Sequence, residues 1–235
     1  MKPTRFPNGV NNVAQSANLG MYGALDPTRY HAYWNDFDHF VAADWTITKT
    51  EAGSGAAATA LTNIDGGGLL LTNDNADDDN QFLQKVGTGF LLEAGKPTWF
   101  KVRAKLSDAT NSDFQAGLII TDTTPLDATD GIYFLKSDDA ATVDFYCRKD
   151  ATTGSNRVQA IATLTDDTFV TLGWHYDGNA CLTYFVNGSA KGSFDPTAYL
   201  PDALLTPSFG LQNGAAAIKT ATIDYIFATK QRFIG

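Results

Sequence analysis

The chain is poor in the residues from which most active sites are built. It has two cysteines, Cys147 and Cys181, and three histidines in 235 residues. With no CxxC pair, a zinc centre has almost no ligands to draw on. Only two of the 26 acidic residues are glutamate, Glu51 and Glu93. Each sits in a turn-like stretch with no second carboxylate at strand spacing, so the paired acids of glycoside hydrolysis are not in view. An aspartate pair such as Asp144 with Asp224 reads more simply as solvated strand faces. No GxSxG elbow holds a serine, and "DGGGLLLTN" at 65–73 lacks the lysine of a phosphate loop. The sequence-level expectation is therefore a protein that is not an enzyme and needs no cofactor.

Basic charge is also scarce. Lysine and arginine total 17, leaving a formal net charge of −9, which repels nucleic acid and anionic membrane surfaces. No apolar run approaches the roughly 18 residues of a membrane span, and no signal-peptide core follows the first methionine. The two cysteines lie in strand-like runs, "TVDFYCR" and "ACLTYFVN", and read as free thiols of a protein assembled in a cytosol.

What the chain does have is alternation. "TWFKVRAKL" sets Phe100, Val102, Ala104 and Leu106 against Trp99, Lys101, Arg103 and Lys105. "FVTLGWHYD" sets Leu172, Trp174 and Tyr176 against Thr171, Gly173 and His175, and "KTATIDYIFATK" sets Ile223, Tyr225 and Phe227 against Thr222, Asp224 and Ile226. Asp-Gly and Asn-Gly pairs at 130–131, 177–178, 187–188 and 213–214 punctuate these runs. About a dozen strands at short spacing, with no helical period after residue 45, predict an all-β sandwich. Their predicted spans are 45–48, 70–72, 80–86, 98–106, 114–122, 130–136, 142–148, 157–164, 169–177, 180–187, 206–213 and 219–228.

Residues 1–44 differ from the rest. They carry Pro3, Pro7 and Pro27 and a run of aromatics at 28–40 that starts with a helical turn after Pro27, capped by Asp26. The division expected is an extended N-terminal arm and junction, 1–44, and a sandwich, 45–235, with 28–44 docked on the sandwich and 1–25 reaching outward. The acidic run "NDNADDDNQ" at 73–81 makes Asp74, Asp77 and Asp79 weak Ca²⁺ candidates, although the EF-hand pattern is not met. "KSDDAATVD" at 136–144 reads the same way with less weight.

Two resemblances add to this reading. "FVTLGWHYDGNACLTYFVNGSAKGSF" (169–194) and the closing "ATIDYIFATK" resemble concanavalin A-like and laminin-G-like jelly-roll domains. "TRFPNGVNNVA", "DPTRYHAYWNDFDHFVAADWTITK", "GLIITDTTP" and "SFGLQNGAAAIKTATIDYIFA" resemble tailed-bacteriophage virion proteins of the capsid decoration or cement type. The second resemblance implies a structural protein on the capsid surface of a virion, assembled in the host cytoplasm. Its implied partners are the major capsid protein and its own copies in a homotrimer. Arg5, Phe6, Pro7, Asn8, Tyr22, Arg29, Tyr30 and Trp34 would make the capsid contacts. The alternative is a carbohydrate- or receptor-binding module of a phage fibre, reading a host surface glycan through Trp99, Asp130 and Asn179.

Overall fold

The computed structural model describes residues 27–87, 89–152 and 157–233. Among them are fifteen strands: β1 (Tyr30–Asn35), β2 (Trp45–Thr50), β3 (Ala58–Leu61), β4 (Leu69–Thr72), β5 (Asn80–Lys85), β6 (Thr98–Leu106), β7 (Ser112–Ile119), β8 (Gly131–Lys136), β9 (Thr142–Arg148), β10 (Arg157–Thr163), β11 (Val170–Tyr176), β12 (Leu182–Val186), β13 (Ser189–Phe194), β14 (Thr206–Asn213) and β15 (Thr220–Gln231). The strands pair antiparallel. One sheet runs β13-β12-β11-β6-β15-β4-β3, with β1 also on β15; the other runs β10-β9-β8-β7-β14-β5-β2. The two form a concanavalin A-like jelly-roll sandwich.

Apolar residues at every second position fill the space between the sheets. Leu172 and Trp174 meet Phe100 and Val102 from one sheet, and Phe134, Phe145, Phe209 and Leu211 come from the other. Burying a side chain of this size is worth roughly 1.5–3 kcal/mol. The hairpin from β12 to β13 turns on Asn187 and Gly188, whose φ values of 50° and 78° suit the mirror-image turn that Asn-Gly favours.

The alternation predicted for the last strand fails at one point. The pairing of β15 with β6 shifts between Ile223 and Tyr225, so Asp224 is an extra residue, a β-bulge. After it the faces exchange: Ile226 and Ala228 enter the core beside Ala221 and Ile223, while Tyr225 and Phe227 turn outward. Arg103 faces this bulge and donates from Nη1 to the Asp224 carboxylate, an ion pair buried mostly on the aspartate side. The Arg103 guanidinium also lies 4.1 Å from the centroid of the Phe169 ring, a cation–π contact.

Three strands, β1, β3 and β13, were not predicted. In place of a helical turn, Tyr30–Asn35 forms β1 against the C-terminal half of β15; Asp26 lies outside the described residues. The sheet therefore begins well before residue 45. Phe37, still within the predicted junction, is 1% exposed, and its ring lies 5.8 Å from Phe209 and 6.4 Å from Trp45.

Phe37→Ala is expected to cost about 3–5 kcal/mol, as cavity-forming aromatic truncations do, measured by denaturant unfolding. A loss under 1 kcal/mol, against that range, would mean that this segment is an accessory to the core.

Candidate functional site

The exchange of faces at the bulge adds Tyr225 and Phe227 to the outward surface of the β1-containing sheet. Cross-strand partners there read Trp34, Phe227, Lys101, Gly173, Phe185 from one edge toward the other. A neighbouring row reads Thr229, Trp99, His175. Gly173 has no side chain, and the gap it leaves is the floor of a cavity of about 370 Å³ walled by Trp99, Lys101, Phe185 and Phe227. A Cβ at Gly173 would stand 3.1 Å from the Phe100 carbonyl oxygen. Trp99 and His175 stack with centroids 4.6 Å apart and planes 12° from parallel. Thr171 and the hairpin glycine Gly188 close the rim, and the Thr171 backbone N–H donates to Asn187 Oδ1 at 2.9 Å. Burial holds the His175 pKa below 6.5, Asp177 opposing, which keeps the ring neutral near pH 7. The slot thus offers flat apolar walls, an ammonium group and a hydroxyl on a rigid sheet, the pattern of a small-molecule site.

The outward face of the other sheet is also notable. Asp113, Gln115, Tyr133 and Ser208 alternate with core residues yet are buried, and Gln115 Nε2 has no hydrogen-bond partner among the described residues. Tyr133 and Tyr146 stack at 5.2 Å. Burial raises the Asp113 carboxyl to about 6, opposed by the Asp138 backbone N–H from which it accepts and by the Lys136 charge, with the Asp138 and Asp78 carboxylates adding to the shift.

The predicted site residues fare unequally. Trp99 lines the slot. Asp130 stands at the start of β8 in the other sheet, and Asn179 lies in the turn after β11, where its carbonyl accepts from the Tyr176 hydroxyl at 3.1 Å; the structure does not bring the three together. The Ca²⁺ candidates are turned to backbone work: Asp74 accepts from Gly55 N–H at 2.8 Å and Asp79 from Ala52 N–H at 2.6 Å, while Asp77 accepts from Asp78 N–H at 3.2 Å. Among the described residues the carboxylates that do converge are Asp130, Asp150 and Asp202, with Lys149 paired to Asp202 at 2.5 Å. Asp144 and Asp224 are no catalytic pair, since they sit in opposite sheets and each is bound by its own arginine, Arg157 and Arg103. Cys147 and Cys181 are unpaired thiols.

Of the expected capsid contacts, Arg5, Phe6, Pro7, Asn8 and Tyr22 lie outside the described residues. Arg29 precedes β1 and accepts from Arg232 N–H through its carbonyl at 2.7 Å; Tyr30 begins that strand and is half-buried, and Trp34 is 66% exposed on it. Sequence reasoning missed Phe185, Phe227 and His175 as site residues. One signal was legible: His175 falls on the polar face of its predicted strand, as Trp99 does on its own, but that the two strands pair is seen only in the structure. Phe227 was hidden by the bulge.

No family model and no curated protein matches the chain. Solved structures do share its fold. A prokaryotic β-1,3-1,4-glucanase (lichenase) from a mouse hindgut metagenome aligns at TM-score 0.60 and 13% identity, covering 84% of this chain and 98% of its own. An endo-1,3-β-glucanase from Streptomyces sioyaensis aligns at 0.60 and 10%, covering 87% and 97%. The endo-β-1,4-glucuronan lyase of the fungus Trichoderma reesei aligns at 0.55 and 10%, covering 83% and 94%. At these identities the likeness establishes the fold. It also overturns the expectation of a chain that is not an enzyme, because this architecture is one on which glucanases and a lyase are built. Nothing in the fold or these comparisons points to capsid decoration.

Asp113 keeps its proton to a higher pH in the folded chain than its ordinary 3.8, so stability contributed at this site falls as pH rises from about 4 to about 6. Asp113→Asn keeps Oδ1 for the Asp138 N–H and removes the titration. The variant is expected to melt higher than the parent at pH 7 and at the same temperature at pH 4, by calorimetry; an equal difference at both pH values would contradict the assignment.

Proposed function

We propose that the chain binds carbohydrate through the slot over Gly173. A sugar ring has two faces of C–H bonds and a rim of hydroxyls. It matches walls of aromatic carbon joined to a few hydrogen-bonding groups. Trp99, Phe185 and Phe227 supply the walls; Lys101 Nζ donates to hydroxyl or ring oxygens, and the Thr171 hydroxyl donates or accepts. Trp34, next to Phe227 across the β1–β15 pair, extends the aromatic row toward the sheet edge for a further sugar unit. The observation that carries this reading is the cavity of about 370 Å³ with three aromatic walls over a glycine. The shared fold of glucanases supports it, and β-glucans are the first ligands to try.

Trp99→Ala is expected to weaken glucan binding about five- to thirtyfold, the loss of one stacking contact being worth ~1–2 kcal/mol. Gly173→Val, which fills the floor with a residue suited to a strand, is expected to abolish it. Titration calorimetry against lichenan and laminarin oligosaccharides, with thermal melts to establish folding, reads both. Unchanged affinity in two folded variants would reject the slot.

A further inference from the structure

We infer that a second cavity, at the end of the sandwich where β1 begins and β15 finishes, binds the carboxylate of a small organic acid. This inference stands without the glycan reading, since the cavity is separate from the slot. Its volume is about 370 Å³, and His31, Lys96, Lys230 and Arg232 line it together with Leu91 and Leu204. In a chain of net charge −9 with only 17 lysines and arginines, three of those cations around one small cavity are a strong local concentration of positive charge.

The cations are only partly answered from within. Glu93 is the facing carboxylate, taking Lys96 Nζ at 2.9 Å on Oε1 and Lys230 Nζ on Oε2. Lys230 is further held by the Leu91 carbonyl. Arg232 is fixed through Nε alone among the described residues, by the Pro27 and Tyr30 carbonyls at 3.0 and 3.1 Å. That anchorage leaves the outer edge of the guanidinium, the two-nitrogen fork that matches a carboxylate. His31 stands beside it with its ring centroid 4.5 Å from that of Phe90. Its Nε2 is buried with no partner among the described residues. Such an atom is costly unless something supplies its bond.

The Arg232 fork donates to the oxygens of a carboxylate seated here, and the His31 ring on the cavity wall stands beside the bound charge. In the unliganded chain burial, then Arg232 and Lys230, hold the His31 pKa below 6.5; the groups facing it are those two cations, Lys96 and Glu93. An anion between them cancels the repulsion and raises the His31 pKa, so binding takes up a proton and tightens as pH falls from 8 toward 6. Leu91 and Leu204 give the body of the ligand an apolar side, and the volume suits a molecule the size of a single sugar.

The test is titration calorimetry of the full chain at low salt with sodium glucuronate, a glucuronic-acid tetrasaccharide, glucose and inorganic phosphate. Saturable glucuronate binding is expected, with no binding of glucose, an affinity about tenfold lower in Lys96→Gln and in His31→Ala, and a gain in affinity at pH 6 over pH 8. Equal affinity for the monomer and the tetrasaccharide identifies a free acid as the ligand; tighter binding of the tetrasaccharide identifies an acidic polymer end. Lys96→Gln touches neither the Pro27 nor the Tyr30 carbonyl, so it reports on charge even where replacing Arg232 would loosen β1. A flat glucuronate isotherm, equal affinity in folded variants, or binding of phosphate without glucuronate overturns the inference. A parent chain that binds glucuronate but neither laminarin nor lichenan would reject the glycan reading alone.

Discussion

A single inserted residue in β15 decides which side chains the second half of that long strand shows to solvent. Strand residues alternate between faces, so an extra position exchanges every face that follows it. Before Asp224 the inward set is Ala221 and Ile223; beyond it the inward set is Ile226 and Ala228. Without the bulge Phe227 would sit in the core and Ile226 outside, and the slot over Gly173 would lose a wall. Arg103 holds the bulge by pairing from β6 with Asp224 on the neighbouring β15. The Phe169 ring under the guanidinium limits how far that arginine can swing away.

The same surface relies on what is missing at Gly173. Its neighbours across the sheet, Lys101 and Phe185, stand on either side of a position with no side chain. In most strands a glycine weakens the sheet by leaving backbone unpacked. Here the core beneath is dense, with Trp174 and Phe100 ring centroids 6.0 Å apart and almost parallel, so the sheet tolerates a gap on its outer side. The Asn187–Gly188 turn serves twice, closing the β12–β13 hairpin and fixing Thr171 at the rim.

Much of this was readable in the amino-acid order. The alternation in "TWFKVRAKL" and "FVTLGWHYD" put Phe100, Val102, Leu172 and Trp174 inside and Trp99 and His175 outside, as they are. The sandwich and its jelly-roll class follow from such runs and their Asn-Gly and Asp-Gly punctuation. The face of Phe227 was not readable, because a bulge is a tertiary event: "ATIDYIFATK" alternates perfectly well in either frame. Strand β1 was obscured by aromatics spaced like a helical turn after a proline, and it forms because β15 is long enough to hold both β4 and β1 along one edge. The short strands β3 and β13 have small and polar residues, Ala58–Leu61 and Ser189–Phe194, that carry little strand preference of their own. The basic cavity escaped notice because His31, Lys96 and Arg232 are distant in sequence and meet only where β1 pairs with β15.

The fold thus joins a surface of aromatic rows to an architecture that glucanases also use, at identities of 10% and 13%. A crystal structure of the protein grown with a laminarin or lichenan oligosaccharide tests the central claim most directly. The account predicts a sugar ring over Gly173, between Phe185 and Phe227, with β15 bulged at Asp224. Sugar bound on the outward face of the other sheet beside Asp113 and Tyr133, or a regular β15 with Phe227 turned into the core, would contradict it.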